Sequence, residues 1–240
     1  MIAIVLGSGL GKFSEYFDQI KSEPFEDFFD VDFETMEGHE RSFIWCTYKD
    51  VKFLIISGKL HYYEGFSLRE STLPLQYAIN KLGVDKFIIT SASGGLSEKI
   101  KIGEWTSVYQ IGAVPQLFNN KRKQYDLAEF NHCLKITGRL FSNLSPVRYA
   151  FQQGPSTGSA AEYKMLSKLG ADLVGMSMLP ESSYLKSLNV DVHFLSVPVC
   201  NYYPFIDLSE PSFEEVLKVS FEAVPKLVNI FKLFLQSKKN

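Results

Sequence analysis

Short, uniformly apolar runs rich in β-branched residues alternate along this chain with longer amphipathic stretches, and that alternation leaves few folds open. Residues Met1–Leu6, Val51–Ser57, Lys86–Thr90, Thr106–Ile111, Val147–Gln152, Leu173–Met176 and Val190–Val197 read as strands. Several lack any polar face, as strands covered on both sides do. Between them Arg69–Leu82, Tyr125–Phe141, Ser159–Leu169 and Pro180–Leu188 read as helices. A final helix opens on a capping box, Ser212 with Glu215, and carries an apolar stripe through Val216, Leu217, Phe221, Val224, Val228, Phe231 and Leu235. Pro225 falls inside that stripe and should kink or divide the helix. The pattern predicts an α/β fold with a mostly parallel sheet between helices. With no repeat, low-complexity tract or linker in 240 residues, the chain reads as a single domain, 1–240.

Composition excludes several classes of partner. Lys and Arg total 25 against 27 Asp and Glu, which gives no field to hold a nucleic acid or a membrane surface. The basic run Lys121-Arg122-Lys123 reads as a solvated loop. No apolar stretch is long enough to span a bilayer, and the opening Met1-Ile2-Ala3-Ile4 has no signal-peptide pattern. Cys46, Cys133 and Cys200 are odd in number and widely spaced, which predicts reduced thiols in a cytoplasmic protein with neither a disulfide framework nor a metal site.

In a parallel α/β fold, chemistry gathers just after the strands. The first strand runs into Gly7-Ser8-Gly9-Leu10-Gly11, whose glycines allow backbone N–H groups and the Ser8 hydroxyl to cradle an oxyanion. Two common nucleotide motifs fail here. Lys12 stands where a dinucleotide fingerprint needs its third glycine, which argues against an oxidoreductase, and Gly11-Lys12-Phe13 lacks the spacing and hydroxyl of a P-loop. Taken alone, the turn fits a ligand-free structural turn as well as an anion site.

Three later segments add to it. Gly58-Lys59-Leu60-His61-Tyr62-Tyr63-Glu64-Gly65 follows the strand ending at Ser57; Lys59 and His61 can meet an anion while Glu64 orients or charges the histidine. Thr90-Ser91-Ala92-Ser93-Gly94-Gly95-Leu96 is small enough for its backbone to approach a ligand closely. In Gly170–Glu181, Ser177 could donate to phosphate and Met176 could pack on a sugar.

Together the segments LGSGLG, GKLHYYEG, TSASGGL, QGPS (Gln153–Ser156) and KLGADLVGMSMLPE, with the Gly38-His39 dipeptide, resemble the trimeric purine nucleoside phosphorylases and the related methylthioadenosine phosphorylases. The resemblance runs in order along nearly the whole chain. It implies a three-layer α/β fold whose central mixed sheet closes partly into a barrel, a homotrimer, and a phosphate-dependent pentosyltransferase of purine salvage. Inorganic phosphate would be the co-substrate, a nucleoside the substrate, and no cofactor would be needed. By the same resemblance Ser8, Lys59, His61, the backbone at Ala92 and Ser177 fall on phosphate-binding positions, with Lys59 and His61 the catalytic ones. His39 falls near the phosphate end, while Tyr63 and Met176 fall on ribose-binding positions. Lys59 stands where the family has arginine and lacks its two-pronged grip.

The base end departs from the family. Thr157 replaces a phenylalanine that flanks the purine, and Gly158 replaces the glutamate that grips it. Either Cys200 or Asn201 falls on the asparagine that bonds the purine. Phe213 replaces a histidine at the sugar's 5′ end, which favours a less polar 5′ substituent. The segment between Pro115 and Tyr125 is shorter than the family's. Glu162, one turn beyond Gly158, could replace the lost carboxylate or simply cap its helix. These changes predict either an enzyme of altered base preference or a member that binds phosphate or nucleoside without efficient turnover.

Overall fold

The computed structural model describes residues 1–31, 40–113, 132–133, 141, 143–186, 188, 190–206 and 211–236. Its strands are β1 (Ile2–Leu6), β2 (Asp18–Pro24), β3 (Ser42–Tyr48), β4 (Val51–Ser57), β5 (Lys86–Gly95), β6 (Thr106–Ala113), β7 (His132–Cys133), β8 (Ser145–Phe151), β9 (Leu173–Gly175) and β10 (Asp191–Asn201). The helices are α1 (Leu73–Asn80), α2 (Ala160–Lys168), α3 (Leu179–Lys186), α4 (Phe213–Glu222) and α5 (Val224–Gln236).

All strands join one mixed sheet in the order β10-β6-β8-β9-β5-β1-β4-β3-β2, with β7 beside β6. A further β10–β5 pairing closes the first five of these into a barrel. Strand β5 makes the transition. Its first half pairs with β1, Ile2 to Lys86 through Val5 to Ile89, whereas its end, Gly94 and Gly95, pairs antiparallel with β9. Along its length it also runs parallel to β10. The carboxyl ends of β1, β4 and β5 therefore open beside the barrel.

The apolar runs form strands because both of their faces find a core. In β1, Ala3 and Val5 join Leu54, Ile56, Phe87 and Ile89 on one side, while Ile2, Ile4 and Leu6 join Phe53, Ile55 and Ile88 on the other. Helix α5 seals the second face with Leu227, Val228, Phe231 and Leu235. Phe13 in the turn Gly11–Tyr16 and Phe17 just after it interlock there, with Phe17 5.0 Å from Phe53 and Phe13 5.5 Å from Phe231, ring centre to ring centre. The first face is covered by α1 and α3 through Leu75, Leu179 and Leu185.

The expected division at Pro225 is present: α4 ends at Glu222 and α5 begins at Val224. Ser212 and Glu215 form the predicted capping box. Strands β2 and β3 are additions to the sequence reading. Strand β5 also extends five residues beyond Thr90, because Ser91–Gly95 is held by β10 on one side. The helix expected over Tyr125–Phe141 falls mostly outside the described residues, and its described part corrects it, since His132 and Cys133 pair with Ile111 and Gln110. The Gly38-His39 dipeptide and the basic run at Lys121–Lys123 also lie outside the described residues. Among the described residues no helix is long and apolar enough to cross a membrane.

Candidate active site

A cavity of about 360 Å³ opens where β1, β4 and β5 end against the barrel strands β8, β9 and β10. The glycine turn forms one wall. Gly7 sits so close to β5 that a Cβ would lie 3.0 Å from Ser91 Cα, and its N–H donates to Thr90 Oγ1 at 3.1 Å. Gly9 has φ +76° and lies against α4, where a Cβ would come within 2.7 Å of Ser220. Glycine at these two places lets the turn fit between β5 and α4, which leaves Ser8 in the cavity wall.

Lys59 and His61 reach the cavity from the loop after β4, and both are buried. Lys59 Nζ lies 2.8 Å from Glu181 Oε1, in the first turn of α3, and 3.4 Å from Ser177 Oγ. Ser177 Oγ in turn lies 2.9 Å from Ser91 Oγ, and its N–H donates to Tyr149 Oη at 3.4 Å. Burial drives the Tyr149 phenol up to about 12, against the opposing bonds to Ser91 and Ser177, so it stays a neutral hydroxyl. The result is a buried lysine paired with one carboxylate and flanked by hydroxyls, which together can offer donors to an oxyanion.

His61 is fixed from behind. Its Nδ1 lies 2.7 Å from Glu64 Oε1, which also accepts the His61 backbone N–H at 3.0 Å. Glu64 Oε2 is bound by the Arg41 guanidinium, and all three side chains are nearly excluded from solvent. Burial pushes the Glu64 carboxyl up, but the bonds from His61 and the Arg41 charge outweigh it and hold the group below the usual carboxylate range. An ionised Glu64 keeps a proton on Nδ1 and so leaves Nε2 as the ring's other polar atom.

Tyr63 stacks on His61 at 4.8 Å and 14°. Burial, with help from Glu64 and opposed by Arg41, drives its phenol up to about 12. Tyr63 and Met176 both pack over Gly154, and both line the cavity. Ala92, Thr157, Cys200 and Phe213 line it as well.

Two base-end candidates stand elsewhere. Gly158 is not in the wall: its N–H donates to Tyr163 Oη at 2.7 Å, and the Tyr163 ring fills the space a side chain there would need. Asn201 turns away, donating to the carbonyls of Ser97 and Ile100 at 3.0 and 3.1 Å and accepting the Tyr203 N–H at 3.1 Å. The register of β10 against β5 shifts between Pro198 and Cys200, and this bulge sets which residue meets the cavity. Glu162 is spent on the Ser159 capping box. Sequence reasoning missed Arg41, Tyr149, Tyr163, Tyr202 and the role of Glu181. Arg41, Tyr149 and Glu181 meet partners remote in sequence, and of these only Glu181 lay within a segment read as part of the site.

Comparison with known proteins identifies the family of the chain. Residues 1–236 match the model of the phosphorylase superfamily. Purine nucleoside phosphorylase 1 of Geobacillus stearothermophilus is 27% identical over 205 residues, 80% of this chain and 74% of that protein. The purine nucleoside phosphorylase of Rattus norvegicus is 25% identical over 257 aligned residues, 98% of this chain and 88% of the relative. Isoform 2 of the Schistosoma mansoni purine nucleoside phosphorylase, solved with cytosine and ribose-1-phosphate, superposes with a TM-score of 0.82 at 28% identity, covering 98% of this chain and 89% of that one. The chain belongs to the phosphorylase superfamily, and within it is similar to purine nucleoside phosphorylases along nearly its whole length.

Proposed function

We propose that this protein is a purine nucleoside phosphorylase with altered base preference, cleaving the N-glycosidic bond of a purine (deoxy)ribonucleoside with inorganic phosphate. The observation that carries this reading is the convergence of Ser8, Lys59, His61, Ala92 and Ser177 on one cavity that also holds Tyr63 and Met176. In this account a phosphate oxygen forms a bond to the anomeric carbon as the carbon–nitrogen bond breaks. The bonding electrons leave with the base, and the proton of hydrogen phosphate ends on the base nitrogen. Phosphate is already a charged nucleophile, so Lys59, Ser177 and His61 serve to hold it in line and to neutralise it. Tyr63 and Met176 pack on the sugar, and Phe213 meets its 5′ side with an apolar ring. No cofactor enters the step.

The Lys59–Glu181 pair favours a second reading, a weakly active or binding-only member, because Lys59 already has a counter-ion 2.8 Å away. Incubating the protein with inosine, guanosine, adenosine and 5′-methylthioadenosine, with and without phosphate, separates the two. Phosphate-dependent release of base with a sugar 1-phosphate supports the enzyme. No release from any nucleoside, with phosphate still bound, supports the binding-only member. A homotrimer in the cytoplasm belongs to the same proposal, and light scattering should give three times the 27.3 kDa chain mass.

A further inference from the structure

Along β8 the side chains alternate between two cores. Tyr149 and Phe151 enter the core that α1 and α3 cover, whereas Ala150 enters a separate cluster with Tyr163, Val174 and Tyr202. Gln152 follows on the Ala150 side, and it lines the cavity together with Tyr163, Val174 and Tyr202. Cys200 packs against the same cluster. Gln152 therefore stands at the end of the cavity that the phosphorylase reading gives to the base.

The backbone is held firmly at this place. The Gln152 N–H donates to the Gly175 carbonyl at 2.8 Å, next to the β8–β9 pairing of Phe151 with Gly175. Two residues on, Gly154 is wedged under Tyr63 and Met176, where a Cβ would lie 2.7 and 2.6 Å from their side chains. The side chain is held as well. Gln152 Nε2 donates to the Ser156 carbonyl at 2.5 Å, and a carbonyl only accepts, so the amide has one possible orientation. Its other end is Oε1, an acceptor with no hydrogen-bond partner among the described residues.

That acceptor stands where the family's carboxylate is missing. Among the described residues no carboxylate lines the cavity, and Gly158, on the glutamate position, is outside the wall. The Thr157 hydroxyl and the Cys200 thiol in the same wall can each donate or accept, so neither imposes a polarity on a ligand. Gln152 Oε1 does.

Resting on the phosphorylase reading, we propose that Gln152 is a specificity-determining residue whose Oε1 accepts an N–H from the base of the nucleoside. A 6-oxopurine offers its N1–H and a 6-aminopurine its amino group, whereas a purine bare at C6 offers neither. The site accordingly takes nucleosides whose base carries an N–H and discriminates against a base that carries none. Because the acceptor is uncharged, it holds such a base less tightly than a carboxylate would.

Calorimetric binding of inosine, adenosine and purine riboside without phosphate tests this separately from turnover. The three share one sugar, and only purine riboside has no N–H on its base. Wild-type protein should bind inosine and adenosine roughly 3- to 10-fold more tightly than purine riboside. Gln152→Leu should erase that preference and change the affinity for purine riboside by less than about twofold, since no bond to that base is lost. Gln152→Glu keeps an acceptor but loses the donor to Ser156, and it should retain the preference. Purine riboside bound by wild type as tightly as the other two, or failure to bind any of the three, would overturn the proposal. Equal losses for all three nucleosides in both variants would also overturn it, because they would leave Gln152 as a loop clamp only. Wild-type turnover of inosine and adenosine with phosphate reports on the phosphorylase reading by itself: a preference erased by Gln152→Leu, with no phosphate-dependent cleavage, would sink that reading and leave Gln152 as the base contact.

Discussion

Replacing Glu64 by glutamine should damage this protein in a way that depends on pH. The Glu64 carboxylate is shared between the Arg41 guanidinium and two bonds with His61, at 2.7 Å to the ring and 3.0 Å from the backbone. Glutamine keeps the shape and one acceptor oxygen but leaves Arg41 buried with its carboxylate gone. Removing one member of a buried ion pair costs about 3–5 kcal/mol, and the retained acceptor places this case near 3. The sign with pH follows from the lowered Glu64 pKa. A carboxyl held below its unfolded value stabilises the fold above that value and loses the contribution as pH falls through the folded one. The gap between Glu64→Gln and wild type should therefore be full at pH 7 and shrink below about pH 4.5, near the unfolded carboxyl range. Urea unfolding at pH 7 and at pH 4 measures it, and the phosphate KM of the same variant reports the loosened imidazole. A loss under about 1 kcal/mol at pH 7, or an equal loss at both pH values, would refute the reasoning.

Further expectations follow from single contacts. Lys59→Met should abolish measurable phosphate binding by calorimetry, and should also lower stability by about 3 kcal/mol because Glu181 is left buried without its cation. Glu181→Gln removes the competing counter-ion, so phosphate should bind more tightly while stability without phosphate falls; weaker phosphate binding would contradict this. Asn201→Ala loses two donated bonds and one accepted bond, which predicts a loss of about 2–3 kcal/mol in urea unfolding with the ratio of base affinities unchanged. Phe213→His should shift kcat/KM away from 5′-methylthioadenosine and toward adenosine, measured as the ratio of the two.

The sheet was legible where both faces of a strand are buried, and illegible where one edge is free. β1 and β4 announce themselves in the runs Met1–Leu6 and Val51–Ser57 because nearly every side chain enters a core. β2 does not: Asp18–Pro24 is almost wholly exposed and is a strand only because β3 offers it an edge. The anion end was legible for a similar local reason. Its groups lie in contiguous segments after strands, so Ser8, Lys59 and His61 can be picked from the chain in order. The partners that fix them come from elsewhere: Arg41 precedes β3 and Glu181 lies on α3, and no spacing links them to Lys59 or His61. At the base end the obstacle was register. A bulge between Pro198 and Cys200 in β10 precedes the pair of which Cys200 stands in the wall and Asn201 behind it, and Tyr163 reads in sequence only as an apolar position on a helix.

The central claim is that phosphate held by Lys59, His61 and Ser177 attacks the sugar directly. Turnover of inosine or adenosine in phosphate labelled with 18O, followed by mass spectrometry of the sugar product, tests that claim most directly. The account predicts a sugar 1-phosphate that retains all of the phosphate label, with no free sugar formed. Release of unphosphorylated sugar carrying an oxygen from water, or cleavage at the same rate without phosphate, would contradict it.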